Sequence, residues 1–220
     1  MKPPRAQRLQ LAGPAGQLEL LLETPTDGDG AGAHAFGVVC HPHPLYGGTL
    51  DNKVVWTLAR AFVELGAPAL RFNFRGVGAS AGGYDAGGGE TADALAVIAY
   101  GRESFPHAVL WLAGFSFGAA VALRAALAAR PALLITVAPG ITTIDVSAAA
   151  SPACPWLIVQ GDADDVVSPA AVIAWAGKLS PPPELKLLPG AGHFFHGRIN
   201  ELRDTVLDFV RRSQAPTAPR

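Results

Sequence analysis

One serine in this chain sits where a serine can be made reactive. Residues Val109 to Ala120 read Val-Leu-Trp-Leu-Ala-Gly-Phe-Ser-Phe-Gly-Ala-Ala, an apolar strand-like run that breaks at Gly114-Phe115-Ser116-Phe117-Gly118 and resumes as a small-residue helix. A serine hydroxyl is a weak nucleophile until a base takes its proton and donors stabilise the oxyanion it creates. A Gly-x-Ser-x-Gly on a sharp strand-to-helix turn lifts the hydroxyl out of the sheet, and glycine two positions away on each side leaves room for that turn. The helix that follows directs its unsatisfied N–H groups toward the developing charge.

If Ser116 is the nucleophile, its acid and base belong at the ends of later strands, in that chain order. After an apolar run at Leu157 to Gln160 comes Gly161-Asp162-Ala163-Asp164-Asp165-Val166-Val167, and after Leu185 to Leu188 comes Pro189-Gly190-Ala191-Gly192-His193-Phe194-Phe195-His196. One of the three carboxylates is expected to orient the imidazole of His193, and the others read as solvated or capping residues. His196 lies nearer the last helix and reads as a surface or supporting histidine. His34 and His107 precede strands and carry no motif.

A third segment, His41-Pro42-His43-Pro44-Leu45-Tyr46-Gly47-Gly48, follows the apolar run Phe36 to Cys40. His41, His43, His193 and an aspartate offer a zinc-binding alternative. The single proline-fixed residue between the two histidines and the complete metal-free nucleophilic set weigh against it, and no metal or other cofactor is expected. Cys40 ends an apolar strand and reads as an inert core thiol. Arg75-Gly76-Val77-Gly78-Ala79-Ser80 lacks the lysine and following helix of a nucleotide loop.

These residues need a scaffold of parallel strands that end at one edge. Short apolar runs alternate with longer helical patterns, so the fold class is α/β, a mostly parallel sheet with helices on both faces. Arg8 to Leu11 and Leu18 to Glu23, around Gly13, Pro14 and Gly16, predict an antiparallel opening hairpin. Strands follow at Phe36–Cys40, Ala69–Phe74, Val109–Phe115, Leu133–Val137, Leu157–Gln160 and Leu185–Leu188. Helices are expected from Val54 to Leu65, after the glycine-heavy loop 76–89 with Leu95, Ile98 and Ala99 on one face, after Ser116, from Ala170 to Leu179, and along Ile199 to Val210. Gly28 to Ala33 reads as a flexible connection and Ser213 to Arg220 as a frayed tail.

The 220 residues are expected to form one domain, residues 1–220. A 50% hydrophobic and 16% charged composition supports a large core, and a net charge of −1 with scattered basic residues gives no footprint for nucleic acid or an anionic membrane. No apolar run is long enough to span a bilayer, and the polar start is no signal core, so a cytoplasmic location is the expectation; the sequence leaves the oligomeric state open, with a monomer slightly favoured. Two cysteines, Cys40 and Cys154, imply no disulfide framework.

The His-Pro-His-Pro loop, the Arg-Gly-x-Gly segment, the Gly-Phe-Ser-Phe-Gly elbow and Gly190-x-Gly192-His193 together cover most of the chain. They resemble a group of small bacterial serine hydrolases of the α/β-hydrolase superfamily. The resemblance implies Ser116 as nucleophile, Asp164, three residues after Gly161, as the acid, and His193 as the general base. It implies one oxyanion N–H from Phe117 and a second from the loop after the Phe36–Cys40 strand. Prolines have no N–H, which leaves His43 or Leu45. Arg75 is then a structural donor beneath the site.

Between Ala138 and Trp156 only a short run containing Ser147 to Ala150 intervenes, so the site is expected to be open, without a lid. Leu45, Tyr46 and Phe194, with Phe115, Phe117 and Phe195, are candidate apolar lining, of which Phe115 and Phe195 read equally as packing residues. The implied reaction is carboxylesterase cleavage of a small or short-chain ester through an acyl-enzyme. A thioesterase or peptidase uses the same parts, and a binding scaffold without turnover is the alternative of another class.

Overall fold

Alternation sets the first element. In the computed structural model, which describes residues 5–26, 30, 32–144, 146 and 151–214, Leu18 and Leu20 turn inward from a long hairpin of β1 (Arg5–Gly13) and β2 (Gly16–Thr24). The hairpin is antiparallel, and β2 continues antiparallel onto β4 (Ala69–Phe72). From there the sheet is parallel, through β3 (Ala35–Cys40), β5 (Val109–Phe115), β6 (Leu133–Val137), β7 (Trp156–Gly161) and β8 (Glu184–Leu188). The eight strands lie in the order β1-β2-β4-β3-β5-β6-β7-β8. β3, β5, β6 and β7 read as nearly continuous apolar runs because both their faces are covered.

Two apolar layers result. α1 (Lys53–Glu64) and α5 (Ile199–Gln214) cover one face, their Val54, Leu58, Phe62, Leu202, Val206 and Phe209 packing with Trp111, Phe115 and Phe195. α2 (Gly88–Ser104), α3 (Phe117–Ala129) and α4 (Pro169–Ala176) cover the other. α3 is apolar nearly all round and buried nearly all round. Asn52 caps α1 by accepting from the N–H groups of Val54 and Val55. No helix among the described residues is long and apolar enough to cross a membrane.

The α/β class, the hairpin and the strand sequence agree with expectation, and four details differ. β4 stops at Phe72: Asn73 N–H still reaches the Glu19 carbonyl of β2, but Phe74 N–H leaves the ladder for the His41 ring. α2 buries Ala94, Val97 and Ile98 and leaves Ala99 exposed. Its inner face is rotated because Asp93, fully buried, is drawn under the sheet's edge by a two-pronged pair with Arg75 at 2.7 and 3.0 Å. α4 ends at Ala176, capped by Gly177, short of Leu179. α5 runs through Ser213 to Gln214, while 215–220 lie outside the described residues, as do Ser147–Ala150 of the short linker and residues 28, 29 and 31 of the glycine-rich connection.

Candidate active site

The site forms where β5 gives way to α3. Ser116 holds φ 55°, ψ −119°, a conformation that costs a non-glycine residue about 1–3 kcal/mol and persists only where the surroundings enforce it. They do so from both sides: Ser116 N–H donates to the Val137 carbonyl at 2.9 Å, and the Ser116 carbonyl accepts from Gly140 N–H at 3.0 Å. Gly114 and Gly118 are required by proximity. A Cβ on Gly114 would lie 2.1 Å from the Gly118 carbonyl oxygen, and one on Gly118 would lie 2.2 Å from that of His41. The elbow is thus wedged against both the loop after β6 and the loop after β3.

Two loops from neighbouring strands meet beside it. A Cβ on Gly161 would lie 2.1 Å from the Ala191 carbonyl oxygen, so the β7 and β8 loops touch. Asp162 staples them by accepting from Gly190 N–H at 2.6 Å, and Ala163 N–H donates to the Ala191 carbonyl. The turn that follows points Asp164 inward. Its Oδ1 accepts from the N–H groups of Val166 and Val167 at 2.9 and 2.8 Å, and its Oδ2 lies 2.8 Å from His193 Nδ1. His193 Nε2 lies 3.1 Å from Ser116 Oγ.

All three side chains are nearly buried. Burial alone would raise the Asp164 pKa, but the bond from His193 and the two backbone donors outweigh it and hold the carboxyl below the usual range. The ionised carboxylate therefore accepts a hydrogen bond from Nδ1–H, which leaves Nε2 of His193 as an acceptor for the Ser116 hydroxyl. Such an arrangement can activate the serine as a nucleophile and return its proton to a leaving group. Asp165 and His196 are exposed and bond neither His193 nor Ser116.

In the loop after β3, Leu45 N–H is engaged with His43 Nδ1 at 3.2 Å. The backbone N–H groups of His43 and Phe117, in contrast, have no acceptor among the described residues. With Nδ1 accepting, His43 carries its proton on Nε2, 3.3 Å from the Tyr84 hydroxyl. Burial, only partly opposed by Glu90, lowers the His43 pKa and favours this neutral ring. The backbone directly after Tyr84 is held by Glu90, which accepts from Asp85 and Gly87 N–H at 2.8 and 2.7 Å.

Tyr46 and Leu45 are exposed at 86% and 65%, and Phe194 at 46%; the Tyr46 ring centroid lies 4.6 Å from that of His43, and the Phe194 ring centroid 5.1 Å from that of His193. Phe115, Phe117 and Phe195 do not line a pocket through their rings: each is at most 1% exposed and fills the core, with Phe115 underlying His193 at a centroid distance of 5.0 Å. Sequence reasoning missed three members of this region. Gly140 bears on the elbow, Tyr84 supports the His43 ring, and Gln160 donates to Asp164 at 3.0 Å. Of these only Gln160 left a trace in the sequence, as a lone amide in the apolar run of β7.

His41 anchors the loop. Fully buried, it donates from Nδ1 to the Pro42 carbonyl at 2.6 Å and accepts from Phe74 N–H at Nε2, 3.0 Å. Both ring nitrogens are spoken for, so it has none to give a metal, and among the described residues no three His, Cys, Asp or Glu side chains gather to hold one. Cys40 is buried beside it, and desolvation pushes its thiol up, away from nucleophilic use.

Burial pushes the His41 pKa down to about 4, against a bond to Pro42 that acts the other way. In the unfolded chain the ring takes a proton near pH 6.5, in the folded protein only near 4. Stability must therefore fall across that window as pH is lowered, by about 3 kcal/mol from this group alone. Urea unfolding should show the midpoint dropping between pH 7 and pH 4.5, and His41→Gln, less stable at pH 7, should lack most of that drop. An identical pH slope in the variant would exclude His41 as its source.

No protein-family model matches the chain. A curated relative from Rickettsia prowazekii (strain Madrid E), described as an uncharacterized protein, is 37% identical over 184 residues, 79% of this chain and 77% of its own length. Among solved structures, an α/β serine hydrolase without a lid from Xanthomonas campestris is 44% identical, with a TM-score of 0.90, covering 100% of this chain and 99% of that one. An α/β serine hydrolase homologue from Coxiella burnetii is 45% identical, with a TM-score of 0.87, covering 92% and 96%.

Proposed function

The chain belongs to the α/β serine hydrolases without a lid, and on that premise we propose that it is a carboxylesterase cleaving small or short-chain acyl esters through an acyl-enzyme on Ser116. The observation that carries the reading is the continuous relay from Ser116 Oγ to His193 Nε2 at 3.1 Å and from His193 Nδ1 to Asp164 Oδ2 at 2.8 Å.

In this mechanism His193 Nε2 takes the hydroxyl proton as Oγ bonds to the ester carbonyl carbon. The carbonyl oxygen, now an oxyanion, accepts from the N–H groups of Phe117 and His43. Leu45 drops out of that role because its N–H is spent on the His43 ring. Each such donor is worth about 10²–10³ in rate in well-studied serine hydrolases. His193 then passes the proton to the departing alkoxide, leaving the acyl group on Oγ. Water repeats the sequence and releases the acid. Asp164 keeps the proton on Nδ1 and stabilises the imidazolium formed in each half-reaction.

The preference for short acyl groups follows from the exposure of the three candidate lining residues. A methylene gains about 0.8 kcal/mol only when it is buried. Leu45, Tyr46 and Phe194 are themselves open to water and offer a chain one side at most. A small-molecule ester is the only partner this chemistry needs, and one domain suffices to carry it.

The wild-type protein is expected to react with a fluorophosphonate probe at one site and to turn over p-nitrophenyl acetate and butyrate faster than the octanoate or palmitate. Rising kcat/KM with chain length would remove the short-chain reading. Failure both to label and to hydrolyse would favour a binding scaffold.

A further inference from the structure

Strand β7 reads Trp-Leu-Ile-Val-Gln-Gly, and the Gln160 side chain in it is wholly buried. Its Nε2 lies 3.0 Å from Asp164 Oδ2, the oxygen that also accepts from His193 Nδ1. The same nitrogen lies 3.2 Å from the Gly161 carbonyl and 3.3 Å from that of Val167. Three acceptors around one nitrogen fix the orientation of the amide. Turned over, its oxygen would face a carboxylate and two carbonyls. The consequence is that Oε1, equally buried, has no partner among the described residues. An unpaired buried acceptor is costly, so the amide is held for what its N–H does.

We propose that Gln160 is a positioning residue that acts on His193 through Asp164, an inference that rests on the reading of Asp164 and His193 as acid and base. A carboxylate offers about four lone-pair sites. Here the N–H groups of Val166 and Val167 take those of Oδ1, and His193 and Gln160 take those of Oδ2. With all four filled, the carboxylate cannot swing about its Oδ1 anchor, and the ring it holds stays within 3.1 Å of Ser116 Oγ. The Gln160 N–H also shares the charge on Oδ2, which keeps the carboxylate from binding the His193 proton too tightly. Without it, Oδ2 holds Nδ1–H more strongly and pivots more freely.

Two readouts separate this role from core filling. In Gln160→Met, which keeps the length but loses the N–H, the His193 Nδ1–H proton resonance should move further downfield, reporting a stronger bond to Asp164. On short-chain esters kcat should fall about tenfold with KM within about twofold, because the bond is tuned where the proton moves and not where substrate binds. Gln160→Glu provides a rescue. Its carboxyl, buried beside Asp164, stays protonated at neutral pH and donates an O–H in place of the N–H, so kcat stays within about threefold of wild type.

A folded Gln160→Met with the resonance unmoved overturns the proposal, as does a tenfold loss in Gln160→Glu at pH 7. If the resonance shifts as expected but the wild type hydrolyses no ester, the positioning role stands and the esterase reading falls.

Discussion

Ser116→Ala is expected to lower kcat for short-chain esters by about 10⁶-fold and to abolish fluorophosphonate labelling, with the fold intact. Among the described residues the only side-chain hydrogen bond of Ser116 runs to His193 Nε2, while its backbone is held by Val137 and Gly140. Alanine keeps that backbone pinning and the same φ of 55°, so thermal unfolding should move by no more than a few degrees. His193→Ala is expected to cost about as much, and the double variant no more than either single, because nucleophile and base act as one unit. Measuring all three in parallel distinguishes chemistry from damage to the fold. Turnover above about 1% of wild type in a folded Ser116→Ala would sink the assignment of the nucleophile. If that residual turnover also died with a chelator, it would point to a metal-dependent reaction.

The elbow was legible because steric necessity leaves a pattern. A nucleophile turn wedged between two loops demands glycine at 114 and 118, and a buried parallel strand before it demands an unbroken apolar run. The order of serine, acid and base followed from the same strand-and-helix alternation. Which carboxylate meets His193 was not legible from the residues alone. Asp162, Asp164 and Asp165 differ only in where one tight turn aims them, and that depends on the Val166 and Val167 N–H groups and on the contact between the β7 and β8 loops.

Long-range pairing explains the remaining misses. Asp93 rotates the face of α2 by reaching Arg75, eighteen positions earlier, and Tyr84 meets His43 from another loop. Neither pairing has a local signature. That Leu45 N–H is engaged by the His43 ring while His43 N–H is not engaged among the described residues is likewise something a pattern of residue types does not encode.

Asp164→Asn is the second large effect, and the hydrogen-bond donors around the carboxylate decide its direction. Four N–H groups converge on Asp164, two of them from backbone that cannot turn away. The asparagine oxygen must therefore stay with Val166 and Val167, and its NH₂ must face His193 and Gln160. His193 can accept from that NH₂ only by moving its own proton to Nε2. There it opposes the Ser116 hydroxyl and cannot remove its proton, and the imidazolium also loses its counter-charge. Activity should drop by about 10⁴-fold, chiefly in kcat, with fluorophosphonate labelling slowed in proportion.

Stability should respond as well, and with a definite sign. The Asp164 carboxyl is held below its ordinary pKa in the fold, so its contribution is present at neutral pH and disappears as acid protonates it. The gap in urea midpoint between wild type and Asp164→Asn should accordingly hold from pH 7 down to about pH 5 and narrow only as pH falls below about 4, the ordinary carboxylate value. A variant within about tenfold of wild-type activity would mean that another acid orients His193. Asp162 is committed to Gly190 N–H at 2.6 Å and Asp165 points to solvent, so neither reaches the ring without unmaking the contact between the two loops that brings His193 to Ser116.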